Sequence, residues 1–203
     1  MRRRRALPAL AAGAILLPDA AGAHTAVTTM GGFWAGVTHL LTSPDQLALF
    51  AGLAIWTGLQ QSAYDARVIG AGGLAVAAGT FGAAQIVIPA DLSPAVTVLL
   101  VLVGCLGAAR LPARHGALIV LTIVAGLCAG AEELGTAATP LVAIGSGIAA
   151  AAVTSWGLIA ARYVSGQLHA VWGPVALRAG ASWIAAIGMM SLALTTARYF
   201  GRS

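Results

Sequence analysis

Apolar runs separated by short polar stretches follow one another along most of this chain. Beyond the amino-terminal region they cover residues 44–60, 68–89, 95–109, 116–131, 141–161 and 175–197. A helix needs about 20 apolar residues to cross the hydrocarbon core of a bilayer, and these runs approach or reach that length. The pattern predicts an all-α fold, a polytopic membrane protein with a bundle of about six transmembrane helices.

The amino terminus has the pattern of an export signal. Arg2 to Arg5 precede a short apolar stretch over residues 6–17, and Ala21-Gly22-Ala23 resembles a cleavage site. The apolar stretch is too short to span a bilayer. Residues 1–23 are therefore predicted to be a cleavable signal peptide, and residues 24–203 the six-helix transmembrane domain. An uncleaved anchor is the alternative.

Residues 30–42 form a further apolar stretch that two interpretations fit. It extends the first transmembrane helix, or it forms a separate half-helix that enters the membrane before Pro44. A proline restricts the residue before it and starts helices well, so a break at Ser43-Pro44 is physically reasonable.

The arginines predict an orientation. Export of the amino terminus places loops 61–67, 110–115 and 162–174 in the cytoplasm, and these loops carry arginine, whereas loops 90–94 and 132–140 carry none. This distribution satisfies the positive-inside rule, with two arginines in the carboxyl-terminal tail as exceptions. The prediction is a multi-pass protein of the bacterial inner membrane with a periplasmic amino terminus.

Composition agrees with lipid as the main solvent. Hydrophobic residues make up 59% of the 203 positions and charged residues 8%, whereas soluble domains carry roughly 25% charged residues. The net charge of +5 owes much to Arg2 to Arg5 in the signal, so no basic patch for nucleic acid remains. The lipid bilayer is the expected partner, and nucleic acid is not.

Small residues spaced four apart predict close helix packing. Gly32 and Gly36 share one helical face, and so do Gly126 and Gly130. We interpret both pairs as packing features.

Polar residues inside a membrane are costly, so they are the first candidates for function. His39 and Asp45 flank the predicted break at Ser43-Pro44, where they could converge on one cation from the outer side. The other interpretation is that Ser43 caps the following helix and Asp45 occupies its first turn, where the helix dipole favours an acid.

Two further residues are candidate metal ligands. Glu132 lies at the carboxyl end of an apolar run, where a carboxylate opposes the helix dipole, so it is either a loop residue or held there for a purpose. His24, as a mature amino terminus, would offer an imidazole and an α-amine, a chelating pair suited to Ni²⁺ or Cu²⁺.

The residues around the predicted break resemble those of the HupE/UreJ family, membrane proteins associated with hydrogenase and urease operons and regarded as nickel or cobalt permeases. The family motif is His-Pro-x-x-Gly-x-Asp-His, preceded by Gly-Phe-x-x-Gly. Residues 32–36 read Gly-Phe-Trp-Ala-Gly, His39 and Asp45 match, and the run 47–56 is also similar. The resemblance implies six spans and a metal site at His39 and Asp45.

The chain also departs from the motifs of this family. Leu40 replaces the proline of the first motif, Ser43 its glycine and Gln46 its second histidine. Ala125 and Ala129 stand where the second motif, His-Gly-x-Ala-His-Gly-x-Glu, has its two histidines.

This chain matches the second motif at its two glycines, Gly126 and Gly130, and at its glutamate, Glu132. The resemblance therefore implies a metal site with fewer imidazoles and more oxygen ligands than those of its relatives, and a harder site changes metal preference.

Two functions from different classes follow. One is a secondary permease that moves a divalent transition metal, nickel or cobalt, into the cytoplasm, with His24, His39, Asp45 and Glu132 as metal ligands. The other is a non-transporting membrane scaffold or assembly component that keeps the fold without the metal site. No nucleophile–base pair indicates an enzyme, and no resident cofactor is expected. A homo-oligomer or a membrane partner stays open.

Overall fold

The computed structural model describes residues 31–60, 65–85, 93–132, 139–167 and 172–200, which contain α-helices and no β-strand. The seven helices of these ranges are α1 Gly32–Thr42, α2 Pro44–Leu59, α3 Asp65–Gln85, α4 Ser93–Ala108, α5 His115–Glu132, α6 Pro140–Gln167 and α7 Trp172–Phe200. The predicted all-α fold class is confirmed. The predicted signal peptide, residues 1–23, and His24 lie outside the described residues.

Each of the six predicted apolar runs corresponds to one helix, from α2 to α7. The largest differences concern α6 and α7, which continue beyond the predicted segments 141–161 and 175–197 and include Arg162 and Arg198. Apolarity ends a predicted segment at the first charged residue. Backbone hydrogen bonding has no reason to end there, so the helices are longer than the apolar runs.

Among the described residues, two helices are long and apolar enough to cross a membrane, by length and composition, within residues Pro140–Gly166 and Trp172–Ala197. Three shorter apolar stretches lie within α3, α4 and α5, at Ala66–Gly82, Pro94–Ala108 and Gly116–Ala131. The structure therefore contains helices suited to a membrane, two of them of full spanning length.

The apolar stretch before Pro44 forms a separate helix, α1, which decides between the two interpretations of residues 30–42. Both α1 and α2 run in the direction of α6. Gly32 lies against Thr139 and Leu141 at the start of α6, whereas Gly58 of α2 lies against Ala161 near its end. The α1–α2 pair is thus a broken helix that follows one long continuous helix.

Close backbone approaches hold the helices together, and the two predicted glycine pairs take part in them. A methyl group on Gly36 would collide with the carbonyl oxygen of Val142 in α6, and one on Gly130 with the carbonyl oxygen of Val76 in α3. Larger side chains at these positions would push the helices apart. The interpretation of both pairs as packing features is confirmed.

The helices define two ends of the bundle. At one end α2, α4 and α6 finish while α3, α5 and α7 begin, as contacts of Trp56 with Val68 and Leu118, and of Leu59 with Ala161 and Leu177, demonstrate. We call it the arginine end because five arginines lie in or beside these helix termini: Arg67, Arg110, Arg114, Arg162 and Arg178. The opposite end is the one nearer the break between α1 and α2, and we call it the break end. The break itself lies part-way along α6, because Gly36 contacts Ser146 and Ala54 contacts Gly157.

Candidate functional site

The break between α1 and α2 consists of one residue, Ser43, in an extended conformation. Pro44 occupies the first helical position of α2, where its missing N–H costs nothing. The Ser43 N–H donates to the carbonyl of Leu40, and the Ser43 hydroxyl donates to the carbonyl of His39 at 2.8 Å. Ser43 therefore has the predicted N-cap position, but its side chain satisfies the end of α1 and makes no capping bond to α2.

His39 and Asp45 lie on the two sides of this break. His39 is in the last turn of α1 and Asp45 in the first turn of α2, and both side chains are partly buried. The first turn of α2 suits Asp45, because a helix dipole favours an acid at the amino end. Asp45 therefore occupies the predicted first turn of α2, whereas the capping bond expected from Ser43 is not made. The convergence of His39 and Asp45 on one cation stays a prediction.

Gln46, the next residue along α2, is turned into the bundle. Its side chain is 3% exposed, and its Nε2 donates to the carbonyl oxygen of Ala129 in α5 at 3.2 Å. Its Oε1 is buried with no hydrogen-bond partner among the described residues. A buried acceptor without a partner costs about 1–3 kcal/mol, so this atom is a candidate for contact with a ligand.

The two motif regions identified in the sequence therefore meet in space. Gln46 stands at the position of the second histidine in the first HupE/UreJ-like motif, and Ala129 at the position of a histidine in the second motif. Ala125 and Ala129 are both fully buried in the main apolar core, which also contains Leu49, Phe50 and Leu53 of α2. The pairing of α2 with α5 is a property of the fold that spacing along the sequence does not predict.

The remaining predicted ligands are placed only in part. Glu132 is the last residue of α5, so the backbone carries it to the break end, while its side chain and the whole of His24 lie outside the described residues. Within the described ranges no three His, Cys, Asp or Glu side chains form a group suited to a metal. His39 and Asp45 are the predicted ligands whose side chains the structure describes.

A second buried oxygen lies on α2. Thr57 is fully buried, and its hydroxyl has no partner among the described residues. Sequence reasoning did not single out Thr57 or the buried state of Gln46. A signal for Gln46 was present, because an uncharged amide within an apolar run is expensive in a membrane, but a threonine normally bonds to its own helix and gives no such signal.

Comparison with known proteins adds no relative to this picture. No family model matches the chain, and no match was found among curated proteins or solved structures. The resemblance to the HupE/UreJ family is thus carried by the residues quoted above and by nothing else.

Proposed function

We propose that the helices from α2 to α7 cross the bacterial inner membrane six times, after export of the amino terminus by residues 1–23. The exterior of the bundle supports this proposal, because large apolar side chains cover it, among them Trp156 and Trp183 at 72% and 73% exposure. Soluble proteins rarely leave extended apolar surfaces uncovered.

The interior supports the same topology. Fully buried polar side chains include threonines in α3, α4, α5 and α6, and Ser146 donates to the carbonyl of Gly36. Polar groups inside and apolar groups outside are the arrangement expected when lipid is the solvent. The concentration of arginines at one end supports a cytoplasmic position for that end by the positive-inside rule, and a periplasmic position for the break end.

Within this topology the chain acts as a secondary permease of HupE/UreJ type that admits a divalent transition metal, nickel or cobalt. The observation that carries the proposal is the broken helix, with His39 and Asp45 on its two sides and the buried amide of Gln46 beside them. Discontinuous membrane helices are the usual place for substrate sites in transporters, because the break frees backbone and side-chain groups at membrane depth.

Each ligand has a stated role in this proposal. His24 captures the metal at the periplasmic surface, His39 supplies the imidazole at the break, and Asp45 and Glu132 supply carboxylate oxygens. The metal is substrate, with no resident cofactor and no covalent chemistry. An imidazole-poor, oxygen-rich set binds a transition metal more weakly than a histidine cluster would, which suits release on the far side.

Whole-cell uptake of ⁶³Ni²⁺ or ⁵⁷Co²⁺, with and without the protein, tests this function. Replacing His39 by alanine should abolish most of the uptake, because it removes the imidazole at the break while alanine remains compatible with a helix. The control is His115→Ala, which removes a histidine at the arginine end and should leave uptake unchanged. Absence of uptake by the wild-type protein would contradict the permease.

The non-transporting scaffold is the second candidate, and one observation favours it. Ala125 and Ala129 are fully buried, so the positions where the family carries imidazoles are filled by close apolar packing. A fold retained without its metal histidines would have this appearance. In that case the wild type takes up no metal, and His39→Ala changes neither uptake nor the metal content of the purified protein.

A further inference from the structure

One face of α2 carries polar side chains at both ends and in between. Thr57 follows Gln46 by eleven residues and Gln60 follows it by fourteen. Each residue of an α-helix is rotated by about 100° around the axis from the one before it. Thr57 and Gln60 therefore project within roughly 40° of the direction of Gln46, and the three residues form one stripe. The stripe is roughly 21 Å long, which is most of the hydrocarbon thickness of a bilayer.

Two of these residues hold oxygen atoms for which the described residues provide no partner: Gln46 Oε1 and Thr57 Oγ1. The contrast with other buried threonines is informative. Thr122 donates to the carbonyl of Leu118, and Thr154 to that of Ala150, each at 2.8 Å and four residues back along its helix. This bond is the default for a helical threonine, so its absence at Thr57 leaves a hydroxyl ready for another partner.

Between the two oxygens the stripe is closed by apolar side chains. Phe50 and Leu53 lie on the same face of α2, and both are fully buried. At the arginine end Gln60 is engaged, because its Nε2 donates to the carbonyl of Leu111 and its Oε1 accepts from the N–H of Ala113. The stripe is thus a polar track with an apolar constriction in its middle and a hydrogen-bonded closure at its end.

We infer that this face of α2 is the permeation path of the proposed permease, with Gln46 as its outer oxygen ligand, Phe50 and Leu53 as its gate, and Thr57 as the next ligand beyond the gate. The inference rests on the proposed transport function and specifies its route. An amide oxygen accepts hydrogen bonds and donates none, and the hydroxyl oxygen of Thr57 also has free lone pairs, so both oxygens can face a cation. Asp45 beside it strengthens that preference.

The ligand role of Thr57 predicts an unusual pair of effects. Thr57→Val removes the hydroxyl and keeps the shape, so ⁶³Ni²⁺ uptake should fall at least fivefold while the melting temperature in detergent stays equal or rises. The rise follows because an unpartnered buried group is lost. Thr154→Val is the matched control, which loses a partnered hydroxyl and should lower the melting temperature with uptake unchanged. Uptake by Thr57→Val equal to that of the wild type would overturn the role of Thr57.

A measurement that needs no transport tests the route itself. In a background with Cys105→Ala and Cys128→Ala, Thr57→Cys is treated from the periplasmic side with a cationic, membrane-impermeant thiol reagent. The additional change Leu53→Ala should open the gate and raise the labelling rate at least tenfold. Ala54→Cys is the control, about 4.5 Å nearer the periplasmic side along α2. Ala54 faces Gly157 of α6 and should stay unlabelled.

The two failures are distinguishable. If the wild type takes up no metal but Thr57→Cys is labelled through the opened gate, the path stands and the proposed substrate is wrong. If Leu53→Ala leaves Thr57→Cys no more reactive than Ala54→Cys, the path is wrong whatever the uptake. Phe50→Leu offers a milder opening of the same gate, and it repeats the measurement where Leu53→Ala inserts poorly.

Discussion

Gln46 in the first turn of α2 and Gln60 directly after its last residue allow a direct comparison between the ends of the bundle. At the arginine end, Gln60 uses both polar atoms of its amide, donating to the carbonyl of Leu111 at 3.0 Å and accepting from the N–H of Ala113 at 3.1 Å. At the break end, Gln46 is more deeply buried and uses only one, its Nε2 bonding to the carbonyl of Ala129.

The difference separates a structural amide from a candidate ligand. A buried polar group that is fully bonded rigidifies its surroundings, whereas one that is half bonded costs stability and persists where something else uses it. Gln60 ties the loop after α4 to the end of α2. Gln46 links α2 to α5 through its Nε2, and its Oε1 has no hydrogen-bond partner among the described residues. We therefore expect changes at the arginine end to affect stability, and changes at the break end to affect the proposed transport.

The largest expected effect on stability is at Trp56, which supports the same loop as Gln60. Its indole N–H donates to the carbonyl of Leu111 at 3.0 Å, and its ring packs on Val68 and Leu118. Trp56→Ala should lower the free energy of unfolding by about 3–5 kcal/mol, since it creates a cavity and removes a donor. Denaturant titration of the purified protein in detergent measures it. A loss below about 1 kcal/mol would mean that the arginine end is not the stable end.

The glutamines themselves give the intermediate effect, as a matched pair. Gln60→Leu leaves the N–H of Ala113 unpaired and should cost about 1–2 kcal/mol. Gln46→Leu loses one bond but also removes the unpartnered oxygen, so its cost should be smaller, about 0–1 kcal/mol, while metal uptake falls. The same denaturant titration ranks the two variants. A larger loss of stability for Gln46→Leu than for Gln60→Leu would contradict the distinction between a candidate ligand and a structural amide.

The sequence predicts the helices of this fold well and the pairing of their polar groups poorly. Apolar runs identify α2 to α7, and glycines spaced four apart identify close contacts between helices. The partner of Gln46 depends on which helices are neighbours, and α2 and α5 lie 83 residues apart at that contact. Neither periodicity nor spacing encodes that neighbourhood.

The candidate site, like the fold, was predicted only in part. A proline after a polar residue located the break, and thus His39 and Asp45 at its sides. The alternative of a continuous helix could be decided only by the structure, because Ser43-Pro44 is compatible with the first turn of a helix as well as with an interruption. Thr57 was not predicted, because its unusual feature is a hydroxyl without a hydrogen-bond partner among the described residues. The sequence alone does not indicate whether that bond is made.

The smallest expected effect concerns the loop that Gln60 holds. Arg110 follows the end of α4 with φ of 50°, the left-handed conformation that glycine usually supplies after a helix. The N–H of Arg110 donates to the carbonyl of Gly107, and the N–H of Leu111 donates to that of Leu106, the bonds that define this type of helix ending. An arginine here therefore carries backbone strain, and it contributes a positive charge to the arginine end.

Replacing Arg110 by glycine should separate these two contributions. Arg110→Gly relieves the strain but loosens the unfolded chain, so the net gain in stability should be about 0.5 kcal/mol. Ala108→Gly, within α4, is the control and should lose about 0.5–1 kcal/mol, because there glycine has no strain to relieve. The same denaturant titration measures both. Arg110→Gly could instead lose as much stability as the control. The arginine side chain would then stabilise this end through contacts that outweigh its backbone strain. In that case the arginine end depends more on its charges than on the loop bonded to Gln60.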